Sequence, residues 1–148
     1  MARRLRPPFY KQETDSSCLP ACLRMVLAAY GLEFPEDQLR EWCNWSPNRS
    51  ALSSDVVAVA RRLGFGRTRE DYGLRLHDLR DAIREGVFPI VGVDLSAYGH
   101  FGQHAQVIAS VSSRGVTIQD PLLGQFVSNL FTFEEAWGAI DYCMILIE

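Results

Sequence analysis

No stretch of this sequence approaches the ~18 continuous apolar residues that a membrane-spanning helix requires. Nor does its N-terminus carry the apolar core of a secretory signal, because Pro7 and Pro8 follow Arg3, Arg4 and Arg6 directly. These two absences predict a cytoplasmic protein without a membrane span. Its four cysteines, Cys18, Cys22, Cys43 and Cys143, are then expected as reduced thiols. Repeats, low-complexity tracts and interdomain linkers are missing too, so residues 1–148 are read as a single domain. A large excess of charge is also lacking. The net charge of -3 argues against a nucleic-acid partner, and the three N-terminal arginines read as a solvated tail. Cys18 and Cys22 have no second close thiol pair, so a zinc site built from them with His104 or His100 lacks its usual ligand set. No metal or cofactor is expected.

The residues that are present favour a folded domain. Hydrophobic residues make up 47% and charged residues 22%, and a chain of this length buries roughly two thirds of its unfolded surface without staples. Leu23, Val26, Leu27 and Tyr30 recur with helical period and stop at Gly31. Ser16 and Ser17 are candidate N-caps, and Pro20 falls in the first turn, where its missing N–H is harmless. Cys18 therefore opens a buried helix. Further helices are expected from Pro35 to Cys43, from Ser50 or Ser53 to Gly64 with Val56, Val59, Ala60 and Leu63 inward, and around Leu76, Leu79, Ala82 and Ile83. The pattern then turns to strands. Val87 to Val93 is β-branched, and Ala105, Val107, Ala109 and Val111 alternate at period two. A turn at residues 113–115 leads into Val116 to Gln119, making a hairpin that Asp120-Pro121 ends. Leu122 to Gly124 reads as a turn, Phe126 and Val127 as a short extension, Phe133 to Ala139 as a brief helix and Tyr142 to Ile147 as a last strand. Helices followed by an antiparallel sheet is an α+β order.

This arrangement brings reactive groups together. A thiol attacks carbonyls as its thiolate, and the free N–H groups of a helix N-terminus favour that form. A cysteine nucleophile also needs an imidazole to take its proton and return it to the leaving amine. That imidazole needs an acceptor to hold its tautomer. His104 begins one hairpin strand and Asp120 ends its partner, so antiparallel pairing sets them side by side at the open end. Taken alone, the pair reads equally as a rim ion pair. Gln12 precedes Cys18 by six residues; in isolation it reads as an exposed glutamine of a flexible tail, but its amide there can donate to an oxyanion beside the Cys18 backbone N–H. Cys22, Cys43 and Cys143 read as small buried hydrophobes. His77 reads as a surface or capping group, and His100 is a rival base from a glycine-bearing loop that also carries Tyr98 and Phe101. Trp42, Trp45 and Trp137 are expected in the core or the wall of the cleft.

The stretches Gln12, Ser17-Cys18-Leu19-Pro20-Ala21-Cys22-Leu23-Arg24-Met25 and Tyr30-Gly31 resemble the start of the double-glycine leader peptidases. These are the bacteriocin-processing cysteine peptidase domains of peptide-exporting ABC transporters. His104-Ala105-Gln106-Val107-Ile108 and Val116 to Gly124 resemble that family's histidine strand and Asp-Pro turn. The resemblance spans nearly the whole chain. It implies a papain-like fold, with N-terminal helices packed on a C-terminal antiparallel sheet. It also implies four roles: Cys18 as nucleophile, His104 as base, Asp120 as orienter and Gln12 in the oxyanion hole. A peptide or protein substrate and a peptide-exporting ABC transporter are the implied partners, and proteolysis through a Cys18 thioester is the implied activity. Leu19 stands where the family has glycine, which implies strain if φ is positive there, or a narrower cleft.

Two other readings use the same residues. A Cys–His–Asp site can deamidate glutamine or join an amine to an acyl group, since only the second nucleophile differs. A catalytically silent module would use the same cleft merely to hold a peptide.

Overall fold

A computed structural model of the chain describes residues 6–148. Arg6 is exposed, whereas Arg3 and Arg4 lie outside the described residues. Three helices come first: α1 (Cys18–Ala29), α2 (Glu36–Trp42) and α3 (Ser53–Arg62). A short strand β1 (Arg69–Asp71) and helix α4 (Leu76–Arg84) follow. Strand β2 (Ile90–Asp94) leads through a single 3-10 turn, Leu95–Tyr98, into the hairpin of β3 (Gln103–Ser112) and β4 (Gly115–Asp120). Strand β5 (Gly124–Ser128), helix α5 (Leu130–Gly138) and strand β6 (Met144–Leu146) complete the order. The six strands form one antiparallel sheet in the order β1-β6-β2-β3-β4-β5.

Both faces of the sheet are covered. On one face, α1 to α3 pack their apolar sides with Ile90, Ala105, Val107, Ile145 and Ile147. On the other, Leu79 and Ala82 of α4 and Phe133, Ala136 and Trp137 of α5 pack with Val91, Val93, Ile108, Val116 and Ile118. The expected packing of early helices on a later sheet holds, and α4 and α5 add a second layer. Helix α1 is the central one, with nine of its twelve residues buried. A helix apolar on nearly every side belongs inside a domain. Each fully buried leucine such as Leu23 or Leu27 contributes about 1.5–3 kcal/mol. That anchoring gives the N-terminal end of α1, with Cys18, a rigid base.

The hairpin departs from simple alternation in one place. Val107 pairs with Gln119 and Ile108 with Ile118, but the register then shifts before Ser110 pairs with Thr117. The shift is a β-bulge at Ala109. It sends Val111 to the same core as Ile108 rather than to the face of Ala105 and Val107. The period-two reading of Ala105 to Val111 thus breaks midway, because one extra residue reverses the side on which each later side chain emerges.

Gly115 closes the hairpin with φ +144°, and a Cβ there would stand 2.4 Å from the Ser128 carbonyl oxygen. Backbone lies against backbone at this point, so no side chain can yield. We expect Gly115→Ala to lower stability by about 2 kcal/mol or more, read as a lower midpoint in urea at unchanged slope.

Candidate active site

The thiol side of the site is built by the start of α1. Ser17 is the N-cap by position, but its side chain makes no capping hydrogen bond to the helix. The first intrahelical bond runs from Ala21 N–H to Ser17 C=O at 3.0 Å, and Pro20 has no N–H to offer. The N–H groups of Cys18 and Leu19 therefore have no partner within the helix. Cys18 is half-buried with a free thiol. Leu19 is helical and is absent from the residues of positive φ. The condition for backbone strain at Leu19 is thus not met, since a side chain is unrestricted in the right-handed helical region. What remains is its bulk, which lines the cleft beside Cys18.

The imidazole side is built by the hairpin. His104 and Asp120 are 8% and 0% exposed, and His104 Nε2 lies 2.8 Å from Asp120 Oδ1. An ionised carboxylate only accepts, so Nε2 carries the hydrogen. The same Oδ1 accepts from the N–H groups of Leu122 and Leu123, each at 2.8 Å. Asp120 Oδ2 accepts from Gln106 Nε2 at 2.8 Å. Burial alone would raise the Asp120 pKa, but its bonds from His104, Leu123 N–H and Gln106, with the nearby imidazolium, hold it below the usual carboxylate range. Burial pushes His104 down, while Asp120 and the Cys18 thiol push it up further, to about 9. Its ring and the Cys18 thiol line the same cleft. Because Nε2 is committed to Asp120, Nδ1 is the ring nitrogen left for another partner.

Gln12 is anchored less directly. It is 7% exposed, its backbone N–H donates to Pro121 C=O at 2.8 Å, and its Nε2 donates to Thr14 C=O at 2.8 Å. The segment before Cys18 is thereby stitched to the turn after Asp120. One Nε2 hydrogen stays uncommitted, and Gln12 Oε1 has no partner. Gln12 is not among the residues that line the cleft itself. That cleft encloses about 440 Å³, with Cys18, Leu19 and Ala51 on the helix side and Gly92, His104 and Cys143 on the sheet side.

Comparison with known proteins agrees with this architecture. The model of the Peptidase C39 family matches residues 6–146. The chain belongs to that family. Among solved structures, it resembles a double glycine motif protease from an AMS/PCAT transporter in complex with the leader peptide, at 20% identity and TM-score 0.73, covering 98% of this chain and 94% of that one. The peptidase domain of Streptococcus ComA, a bifunctional ABC transporter involved in quorum sensing, matches at 23% identity and TM-score 0.76, covering 97% and 98%. A C39-like peptidase from Bacillus anthracis, described as putative, matches at 15% identity and TM-score 0.75, covering 95% and 94%. At these identities the neighbours establish the fold. No curated protein matches the sequence.

Within this C39 domain the remaining candidates separate cleanly. His100 is exposed and outside the cleft wall, and His77 is exposed beside Asp78. Cys22 and Cys43 are fully buried, and burial pushes the Cys43 thiol up to about 12. Cys143 departs from the buried-hydrophobe reading. It is half-buried in the cleft wall, where its sulfur accepts from Gly92 N–H at 3.2 Å. A Cβ at residue 92 would stand 2.9 Å from that sulfur, so glycine is what lets Cys143 close the floor. Trp137 lies in the core, while Trp45 donates to Ser16 C=O at 3.1 Å. Gln106 escaped the sequence reading, although a signal was available. It is a lone amide in an apolar strand, two residues from His104, and such a buried group needs a partner. Among the described residues, no group of three or more His, Cys, Asp or Glu is placed to hold a metal ion.

Proposed function

We propose that this chain is a cysteine peptidase in which Cys18 attacks a peptide carbonyl, His104 moves the proton and Asp120 orients His104. The observation that carries the reading is the buried His104–Asp120 bond of 2.8 Å, in a cleft that His104 lines together with Cys18. Cys18 passes its proton to Nδ1, and the resulting imidazolium is sustained by Asp120. As sulfur bonds to carbon, negative charge develops on the carbonyl oxygen. The Cys18 backbone N–H and the uncommitted Nε2 hydrogen of Gln12 are the donors that would meet it. His104 then returns the proton to the leaving amine, and water, activated by the same ring, releases the acyl group from the thioester.

Family membership supports a peptide substrate with a double-glycine type of leader, and the partner would be a peptide exporter. Leu19 fills space beside the thiol that glycine would leave open, which favours small residues next to the scissile bond. The test uses synthetic peptides carrying a leader that ends in two small residues, with mass spectrometry of the products. We expect one cleavage, directly after the small pair. We also expect iodoacetamide to label Cys18 at least about tenfold faster than Cys22, Cys43 or Cys143 near neutral pH. No cleavage together with equal labelling of the accessible thiols would favour a silent peptide-binding module. Transfer of the acyl group to an added amine in preference to water would favour a transamidase.

A further inference from the structure

Glu36 is a carboxylate with 1% exposure, far from the catalytic trio in sequence and unused by the chemistry above. It is the first residue of α2, whose N-cap is Pro35, so it has no capping partner behind it. A charge buried at that depth is expensive unless its contacts are specific. Its hydrogen bond runs to the segment that leads into Cys18, and its ion pair to Arg40 of its own helix. Glu36 Oε1 accepts from Glu13 N–H at 3.0 Å. Arg40 Nε stands 2.9 Å from Oε2 as an ion pair, although off the angle of a good hydrogen bond. Arg40 reaches on to Glu13 at 3.0 Å, and Arg24 faces the same Glu13 carboxylate at 3.8 Å.

From Glu13 the contacts continue through the next residue toward the active site. Ser17 Oγ accepts from Thr14 N–H at 3.1 Å, and Thr14 C=O accepts the Gln12 amide at 2.8 Å. The Ser17 hydroxyl in turn donates to the Thr14 carbonyl at 3.4 Å, so the turn is closed on itself. Helix α2 does not need this carboxylate to stay docked, since Leu39 and the following Cys43 are fully buried in the core. What the buried charge specifies is the path of residues 13–17.

We propose that Glu36 is a positioning residue that holds the Glu13–Ser17 turn, and through it sets the Gln12 amide relative to the Cys18 thiol. The proposal rests on the peptidase reading above for its catalytic part. Its test is a double-mutant cycle on peptide turnover, joined to hydrogen exchange at the Glu13 and Thr14 amides. Gln12→Ala is expected to lower kcat by about 100-fold. Glu36→Ala is expected to lower kcat by about tenfold or more with KM within about twofold, and to add nothing once Gln12 is already alanine. Glu36→Gln, which still offers an acceptor to Glu13 N–H, is expected to recover most of kcat. Additive losses in the cycle would overturn the proposal, as would full loss of kcat in a folded Glu36→Gln with both amides still protected. If Glu36→Ala fails to fold, Glu36→Gln alone decides by the same two measurements. Exchange reads the hold without any turnover: faster exchange at Glu13 and Thr14 in Glu36→Ala supports it, and unchanged protection overturns it. A wild-type chain without turnover would instead overturn the peptidase reading, and the catalytic part with it.

Discussion

Cys18→Ala is expected to reduce peptide cleavage by about 10⁴-fold or more, while the unfolding midpoint stays close to that of the wild type. The size of the loss follows from chemistry. The other thiol of the cleft, Cys143, is held to Gly92 N–H and burial pushes its pKa up, so the residual rate is what the oxyanion donors and substrate binding supply alone. The small effect on stability follows from position. Cys18 is half-buried at a helix end, and it stands outside the fully buried set of Cys22, Leu23, Met25, Val26 and Leu27. Losing one sulfur there leaves no enclosed cavity. The comparison between turnover and urea denaturation of the two proteins checks both halves. A Cys18→Ala protein that cleaved peptide at the wild-type rate would remove the thiol from the mechanism.

His104→Ala should produce a loss of similar size, about 10⁴-fold or more, and should also slow alkylation of Cys18. The pH dependence makes this prediction sharper. Burial opposes the imidazolium, but Asp120 and the Cys18 thiol outweigh it and place the folded pKa near 9. The ring is then protonated through the neutral range, and turnover that needs it as an acid should fall as pH rises through about 9. Stability moves with the same proton. The folded pKa lies above the unfolded value near ~6.5, so the folded state binds more protons between the two. The stabilisation is fully present below about 6.5 and is lost as pH climbs to about 9, at ~1.4 kcal/mol per pH unit while only the folded state holds the proton. Asp120→Asn should shift both effects acidward, because the neutral amide no longer sustains the imidazolium. Its amide nitrogen would also meet Gln106 Nε2, donor against donor, where the carboxylate now accepts at 2.8 Å. Its rate loss should stay below that of Cys18→Ala, at roughly 10²- to 10⁴-fold, since an orienter is partly replaceable. A profile of the Asp120→Asn protein that kept the wild-type high-pH limb would argue that some other group sets it.

Much of this was legible from the residues. Helix α1 announced itself because its apolar positions recur around most of the helix and Gly31 ends it with φ +85°. The His104–Asp120 pair was legible because hairpin pairing is local: a turn at 113–115 forces both strand ends together. Strand β1 was not legible. Its three residues Arg69, Glu70 and Asp71 carry no apolar alternation, and they are a strand only because β6 pairs with them from the far end of the chain. The bulge at Ala109 was hidden because its cause lies in cross-strand pairing rather than in any turn residue. Leu19 misled in the opposite direction: a glycine in relatives suggested a special backbone, whereas the position is ordinary helix. The Glu36 contacts were invisible because glutamate at a helix start usually faces water, and only the path of residues 13–17 buries it.

The bulge at Ala109 has a practical consequence for the hairpin. It divides β3 and β4 into a proximal stretch that carries His104, Gln106 and Asp120 and a distal stretch that ends at Ser112 and Gly115. A change of length at the tip meets this irregular joint before it reaches the end that carries His104 and Asp120, so the joint works like a slip coupling between the two. The exposed tip at Ser113 and Arg114 is therefore the natural place to graft a probe or an affinity handle, whereas a single residue inserted between His104 and Ile108 would turn the imidazole to the opposite side of the sheet.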